Sequence, residues 1–330
     1  MTLETTMNPT RRDALQSALA LLAATAWPAA RAQAPYPSGP VRFIIPTPAG
    51  GGHDTMMRLI GAKLTEAWGQ PAIVESKAGA SGAIAAGYVA KQPPDGQTLL
   101  LGYSALLTNL VLQANTPYKL SELAPVSMMA VTPIALGVRT SLNVNTVQEF
   151  VALVKRRPGK FSYASYGPGS GGHFVGEQIN AAAGIDMVHV PYKGEAPALQ
   201  DLLGEQVDAA VVSLGGVSRY AGKIKALAVA SPSRFPLYAD VPTFAESGLP
   251  GVNLPGWAAL LAPAATPKPV LHKLGAEINR ILLLPDIQPK LLELGFEPVA
   301  WPPEKLAGFM AEQLAIAKKL VDDGRVKLTG

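Results

Sequence analysis

The chain has 330 residues, of which 48% are hydrophobic and 16% charged, with a formal net charge of +4 and no cysteine. That much apolar material excludes a disordered chain and suffices for one large domain or two ordinary ones. Scattered Lys and Arg argue against a nucleic-acid-binding surface, and the lack of thiols excludes disulfides, iron–sulfur clusters, thiolate metal sites, covalently attached haem and a Cys nucleophile.

At the N-terminus Arg11 and Arg12 precede an uncharged stretch, ALQSALALLAATAWPAA, that ends in Ala30-Arg31-Ala32. These are the regions of a secretion signal, read over residues 1–32 with cleavage near Ala32, so that the mature chain begins near Gln33. The arginine pair fits a Sec or a twin-arginine signal. The expected location is periplasmic. No later stretch reaches the roughly 18–20 consecutive apolar residues of a membrane span.

VRFIIPT then reads as a buried strand, MMRLIGAKLTEAWG as a helix closed by Gly69, and PAIVES as a second strand. SGAIAAGYVAKQ reads as a second helix and TLLLGY as a third strand, which completes a βαβαβ unit of the kind that builds a parallel sheet. LAPVSMMAVTPIALGV follows as an extended crossing. Lys155, Arg156 and Arg157 form the basic end of a solvated helix stopped by Pro158 and Gly159. FSYASY, FVGEQINAAAG, MVHVPY, APALQDLLGEQ and DAAVVSL then repeat the strand–helix order. GWAALLAPAATP is a second crossing, and VLHKLGAEINRILL and KLAGFMAEQLAIAKKLVDD are helices that return to the first unit. The expected fold is α/β and two-lobed, with parallel-type sheets in both lobes and two hinge crossings. Domain I comprises residues 33–132 and 257–330, and domain II residues 133–256.

In each unit the first strand feeds a glycine-rich loop that opens a helix. The first loop holds Pro48, Ala49, Gly50, Gly51, Gly52, His53 and Asp54, and the second Gly167, Gly169, Ser170, Gly171 and His173. Such loops gather unpaired backbone N–H groups at the positive end of a helix dipole, which suits an anion. Ligands of open α/β sheets bind beyond the carboxyl ends of the strands, so two facing units would place both loops across one cleft. Asp54 reads as the cap of the helix that follows, with contact to a ligand amino group as the alternative. Ser170 and the N–H groups around it read as the donors of an anion nest. Ser104, Tyr192 and Ser213, at strand ends beside Tyr103 and Lys193, would line the cleft. Asp201 reads as a solvated residue on a polar helix face.

Other readings of these residues are weaker. Residues 167–172 satisfy G-x-G-x-x-G, but Pro168 lies inside the turn and the following strand ends in Tyr192-Lys193, where a dinucleotide site carries an acid. His53 and His173 lack the convergent carboxylates or thiols of a metal site, and hydrogen bonding to ligand or loop backbone suits them better. His189 and His272 read as structural. The nucleophile elbow is absent at Ser170, where Pro168 replaces its first glycine. No cofactor, metal or catalytic residue is therefore expected.

Over residues 36–323 the chain resembles the solute-binding proteins of tripartite tricarboxylate transporters, the Bug or TctC-like family. IIPTPAGGGHDTMMR, VESKAGASG, VAKQPPDGQTLLLG and HVPYKGEAPALQDLLGEQVDA carry the resemblance, with KIKALAVASPSRFPLYADVPTFAESGLPGV and GWAALLAPAATPKPVLHKL. It implies a monomeric, non-enzymatic periplasmic Venus-flytrap protein whose small carboxylate lies between loops 48–54 and 167–173. A mono- or dicarboxylate fits, as does an amino or aromatic acid. The implied partners are the membrane permease subunits of the transporter, or a sensor kinase ectodomain if the protein signals instead. An exported enzyme using the cleft histidines is the remaining alternative. Ile45-Pro46-Thr47-Pro48 departs from the aromatic and proline that usually open the family's first loop, and His53 stands where small polar residues are commoner.

Overall fold

The computed structural model describes residues 36–113, 115–324 and 326, so the stretch read as a secretion signal and its expected cleavage point lie outside the described residues. The chain opens with β1 (Val41–Ile45), α1 (Gly52–Trp68), β2 (Ala72–Ser76), α2 (Ala83–Ala90), β3 (Thr98–Tyr103) and α3 (Ala105–Leu112). It continues through β4 (Leu123–Thr132), β5 (Ile134–Arg139), α4 (Val147–Lys155), β6 (Ser162–Ser165), α5 (Gly171–Ala183) and β7 (Val188–Pro191). Next come α6 (Glu195–Leu203), β8 (Ala209–Ser213), α7 (Leu214–Ser218) and β9 (Ile224–Ala230). The last elements are β10 (Gly256–Pro263), α8 (Lys268–Leu282), α9 (Gln288–Glu293), β11 (Glu297–Trp301) and α10 (Pro303–Asp322).

These strands form two sheets, in the orders β11-β4-β10-β3-β1-β2 and β7-β6-β8-β5-β9. The parallel pairing expected of the βαβ units is present between β1 and its neighbours β2 and β3, and between β6 and its neighbours β7 and β8. The two crossings are themselves strands, and they make both sheets mixed: β4 and β10 pair antiparallel in the first sheet, β5 with β8 and β9 in the second. The chain leaves the first sheet at Thr132, passes through Pro133 and enters the second at Ile134. It comes back at Gly256, which pairs with Thr132, so the two crossings lie side by side.

Local chemistry explains where the elements begin and end. Gly69 and Gly184 close α1 and α5 in the left-handed region at φ 65° and 61°, where a side chain would be strained. Thr146 caps α4 by accepting the Glu149 N–H. In the second sheet, Leu136, Val138 and Val211 enter one apolar cluster while Ala135, Ala210 and Val212 enter the cluster on the other face. That period of two is what a sheet covered on both sides requires. Of the terminal helices, α10 does more than return to the first sheet. Its Leu306 and Met310 pack with Ile44, Met128 and Trp257, whereas Ala317 joins the cluster of Phe150, Phe174 and Val211 in the other lobe. A helix of 20 residues is about 30 Å long and outruns the sheet it starts on.

The packing of α5 on β6 depends on Gly176, where a Cβ would lie 2.1 Å from the fully buried ring of Tyr163. Gly176→Ala is expected to lower the free energy of unfolding by about 1–3 kcal/mol through overpacking. Urea denaturation at an unchanged m-value checks this, and undiminished stability would contradict the packing described.

Candidate functional site

The first loop is built by its lack of side chains. Gly50 sits at φ +82°, and Gly51 occupies the N-cap of α1 without any side-chain cap bond. The N–H groups of Gly52 and His53, in the first helical turn, have no acceptor within the helix. Asp54 does not cap α1 as the sequence suggested. The helix starts at Gly52, so Asp54 is already in the first turn and reaches back into the loop. Its Oδ2 accepts the Gly50 N–H and the Arg58 Nε–H, each at 3.0 Å. The Arg58 bond, with help from Gly50, holds this buried carboxyl below its usual range.

The second loop follows the same plan with more internal support. Gly167 and Gly169 take φ values of 140° and 68°. Ser170 is the N-cap of α5: its hydroxyl donates to Gly167 O at 2.6 Å and accepts the His173 N–H at 3.3 Å. That hydroxyl is therefore committed inside the loop, and the donors left at the start of α5 are backbone N–H groups. His173 is also a loop support. Its Nδ1 accepts the Gly169 N–H at 3.1 Å, and its ring stacks on His189 at 4.0 Å and 8°. His189 lies 2.7 Å from Ser165 Oγ through Nε2 and stacks in turn on Tyr163.

His53 lies elsewhere, between Tyr103 and Phe296, with ring centroids 5.8 and 5.3 Å away. His53 and His173 are thus held by separate neighbours and do not converge on one centre. Burial pushes both down to about 4, and burial together with His173 pushes His189 down to about 3. All three imidazoles are neutral at pH 7.

The two loops meet at the carboxyl end of β3. His53 of α1 touches Tyr103, and the next residue, Ser104, is the N-cap of α3. Ser104 Oγ lies 3.2 Å from where a Cβ on Gly171 would be, and that same position is 2.7 Å from the Tyr166 hydroxyl and from Ile134. The Thr108 hydroxyl of α3 donates to Gly169 O, and a Cβ on Gly169 would strike Leu112 at 2.5 Å. On the other flank Gly215 of α7 approaches Gly295, beyond α9, to 3.4 Å measured from its Cβ position. The arrangement concentrates helix-terminal N–H groups around neutral side chains, which gives a region of positive potential without a cation.

Of the residues singled out from sequence, Gly52, His53, Ser104, Gly169 and Gly171 make contacts at this junction, with Gly50 and Gly51 in the first loop and Gly167 and Ser170 in the second. Pro48 and Ala49 are exposed beside it. Tyr192 is turned away: its hydroxyl donates to Asp201 Oδ2 at 2.6 Å, so Asp201 is a partnered acceptor and not simply a solvated one. Ser213 caps α7, and both its N–H and its hydroxyl donate to Glu195, at 2.9 Å each. Sequence reading passed over Tyr166, Thr108 and Phe296. Each is an unremarkable residue type whose position at the junction arises from long-range packing.

The buried neutral histidines tie stability to pH. An unfolded chain binds protons on its histidines below about 6.5, whereas these three bind theirs only near pH 3–4 when folded. Their contribution is complete above pH 6.5 and declines as pH falls toward 4, because the unfolded state then holds more protons. His189→Gln is expected to give a shallower dependence of unfolding free energy on pH between 6.5 and 4 than the parent chain. An unchanged slope would show that His189 is not held neutral.

Comparison with known proteins agrees with this architecture. Residues 56–325 match the family model described as tripartite tricarboxylate transporter family receptor, TctC. BugT of Bordetella pertussis is 35% identical over 316 residues, covering 93% of this chain and 95% of BugT. A Rhodopseudomonas palustris protein solved with adipate superimposes with a TM-score of 0.80 at 32% identity, over 87% of this chain and 97% of that one. MatC of the same organism, solved with malate, gives 0.76 at 32% identity over 87% of this chain and 100% of its own. The chain belongs to the TctC family of solute-binding receptors.

Proposed function

We propose that this chain is a periplasmic solute-binding protein that takes up a small carboxylate between its lobes and presents it to the membrane permease subunits of a tripartite tricarboxylate-type transporter. The observation that carries the reading is the convergence of the 48–54 and 167–173 loops on Tyr103 and Ser104, where the N–H groups of Gly52, His53 and Gly171 have no acceptor within their helices, while the Gly172 N–H meets the Tyr166 hydroxyl. A carboxylate supplies the missing acceptors. Hydrogen bonds to a charged group are about twice as strong as neutral ones, so no opposing side-chain ion is needed. The adipate and malate bound by R. palustris relatives support a carboxylate as the ligand class.

In this reading the N–H groups of Gly51, Gly52 and Gly171 hold the carboxylate, Asp54 fixes Gly50 beside them, Ser104 and Tyr166 close over it, and His173 and Ser170 keep the second loop in shape. Domain I is residues 33–132 and 257–330, and domain II residues 133–256. The paired crossings at Thr132 and Gly256 act as the hinge, and ligand shifts the population toward the closed arrangement. The same residues transfer no group and break no bond.

Titration calorimetry against mono- and dicarboxylates tests the proposal. Binding without product formation is the expected result, with a stabilisation of about 2.7 kcal/mol at a hundredfold excess of ligand over Kd. Gly171→Ala is expected to weaken binding at least tenfold, since its methyl group would meet Ser104, Tyr166 and Ile134 and hold the lobes apart. Failure of every carboxylate to bind, or full affinity in Gly171→Ala, would contradict the assignment.

A further inference from the structure

Glu195 is the acidic group that the glycine loops do not account for. It opens α6, yet its half-buried carboxylate turns to the end of β8 and touches Ser213. Oε2 accepts the Ser213 N–H and Oε1 pairs with Ser213 Oγ, both at 2.9 Å. Ser213 Oγ already accepts the Gly216 N–H at 3.0 Å, which leaves its own proton for Glu195. Both carboxylate oxygens are thus engaged by Ser213, while burial holds the carboxyl above its usual range.

This charge lies beside the interlobe contact. A Cβ on Gly216 would come within 2.1 Å of Glu195 Oε1, and the adjacent Gly215 is the residue that meets Gly295 across the gap. The charge also acts on Tyr166, which lies between Ser104 of the first lobe and Gly172 of the second. Among the described residues no Lys or Arg forms an ion pair with Glu195. Arg219 is exposed and acts on it only at a distance. Asp54, in contrast, has Arg58. A desolvated carboxylate without a cation is costly and favours a ligand that brings one.

We infer that Glu195 selects the far end of the ligand, so that the solute is an amino carboxylate whose ammonium group meets Glu195 while its carboxylate meets the glycine loops. The inference rests on the carboxylate-binding reading above. A second carboxylate directed at Glu195 would be repelled, so the same side chain discriminates against dicarboxylates that extend to it.

The test compares matched ligands on the intact chain by calorimetry at pH 7: glutamate and 5-aminopentanoate against glutarate and pentanoate. At least one amino carboxylate is expected to bind tenfold or more tightly than its counterpart lacking the amino group. Glu195→Gln is expected to reduce that preference at least tenfold while the affinity for glutarate holds or rises. If glutarate or pentanoate bound best to the parent chain, the role of Glu195 would be overturned and the carboxylate site would stand. If Glu195→Gln lost stability on heating but kept the ligand preference, Glu195 would be a support for Ser213 only, and the inference would again fail. Binding of none of the four would overturn the inference together with the carboxylate reading.

Discussion

The missing Cβ atoms at the start of α1 and α5 are the constraint on which the rest depends. A helix exposes unpaired N–H groups at its first turn, and whether a ligand can reach them is decided by what stands in front. Here Gly51 and Gly52 at α1, and Gly171 and Gly172 at α5, put no side chain in front of these ends, which lets Phe296, Ser104 and Tyr166 approach them closely. At Gly172 the crowding is severe, since a Cβ would fall 2.1 Å from Val211 O. The glycines thus serve two ends at once. They let the helix seat deeply on its sheet, and they open its positive end to the junction between lobes.

Everything around the loops keeps those backbones in place. Asp54 ties Gly50 to α1, His173 ties Gly169 to α5, and Ser170 ties Gly167 to the same helix end. These are side-chain acceptors or donors used on loop backbone, so loop shape is set before any ligand arrives. The joint between lobes is similarly economical. Gly256 lies against Thr132, where a Cβ would be 2.8 Å from its carbonyl oxygen, and Ile134 next to this joint also borders Gly171. A change of angle at the crossings would therefore be felt at the second loop directly, which is the coupling a hinged receptor uses.

Much of this was legible in the residues. Buried strands followed by glycine loops and amphipathic helices announced the two βαβ units and their loops, because periodicity and turn chemistry are local properties. The crossings were recognised as extended and apolar. That they become antiparallel strands within both sheets depends on partners far away in the chain, as with Ala130 and Ala258 or Leu136 and Val211. Side-chain direction was the least accessible level. Asp54 looked like a cap because the helix was read as starting at Met56 instead of Gly52, and Tyr192 looked cleft-facing because its partner Asp201 lies one helical element on. In the sequence Glu195 was only an acid placed too late after its strand for a dinucleotide site, since its significance comes from Ser213 and from a glycine pair, Gly215 and Gly295, that meets across the lobes.

The most direct test of the account is the response of individual glycine amides to ligand. The chain labelled selectively with 15N-glycine and titrated with the tightest-binding carboxylate should show its largest amide shifts at Gly51, Gly52 and Gly171, moved downfield as those N–H groups gain a charged acceptor. Smaller shifts are expected at Gly215 and Gly295 as the lobes settle. Shifts centred on glycines remote from both loops, such as Gly222 or Gly308, with those of α1 and α5 unmoved, would contradict the claim that two helix ends hold the solute.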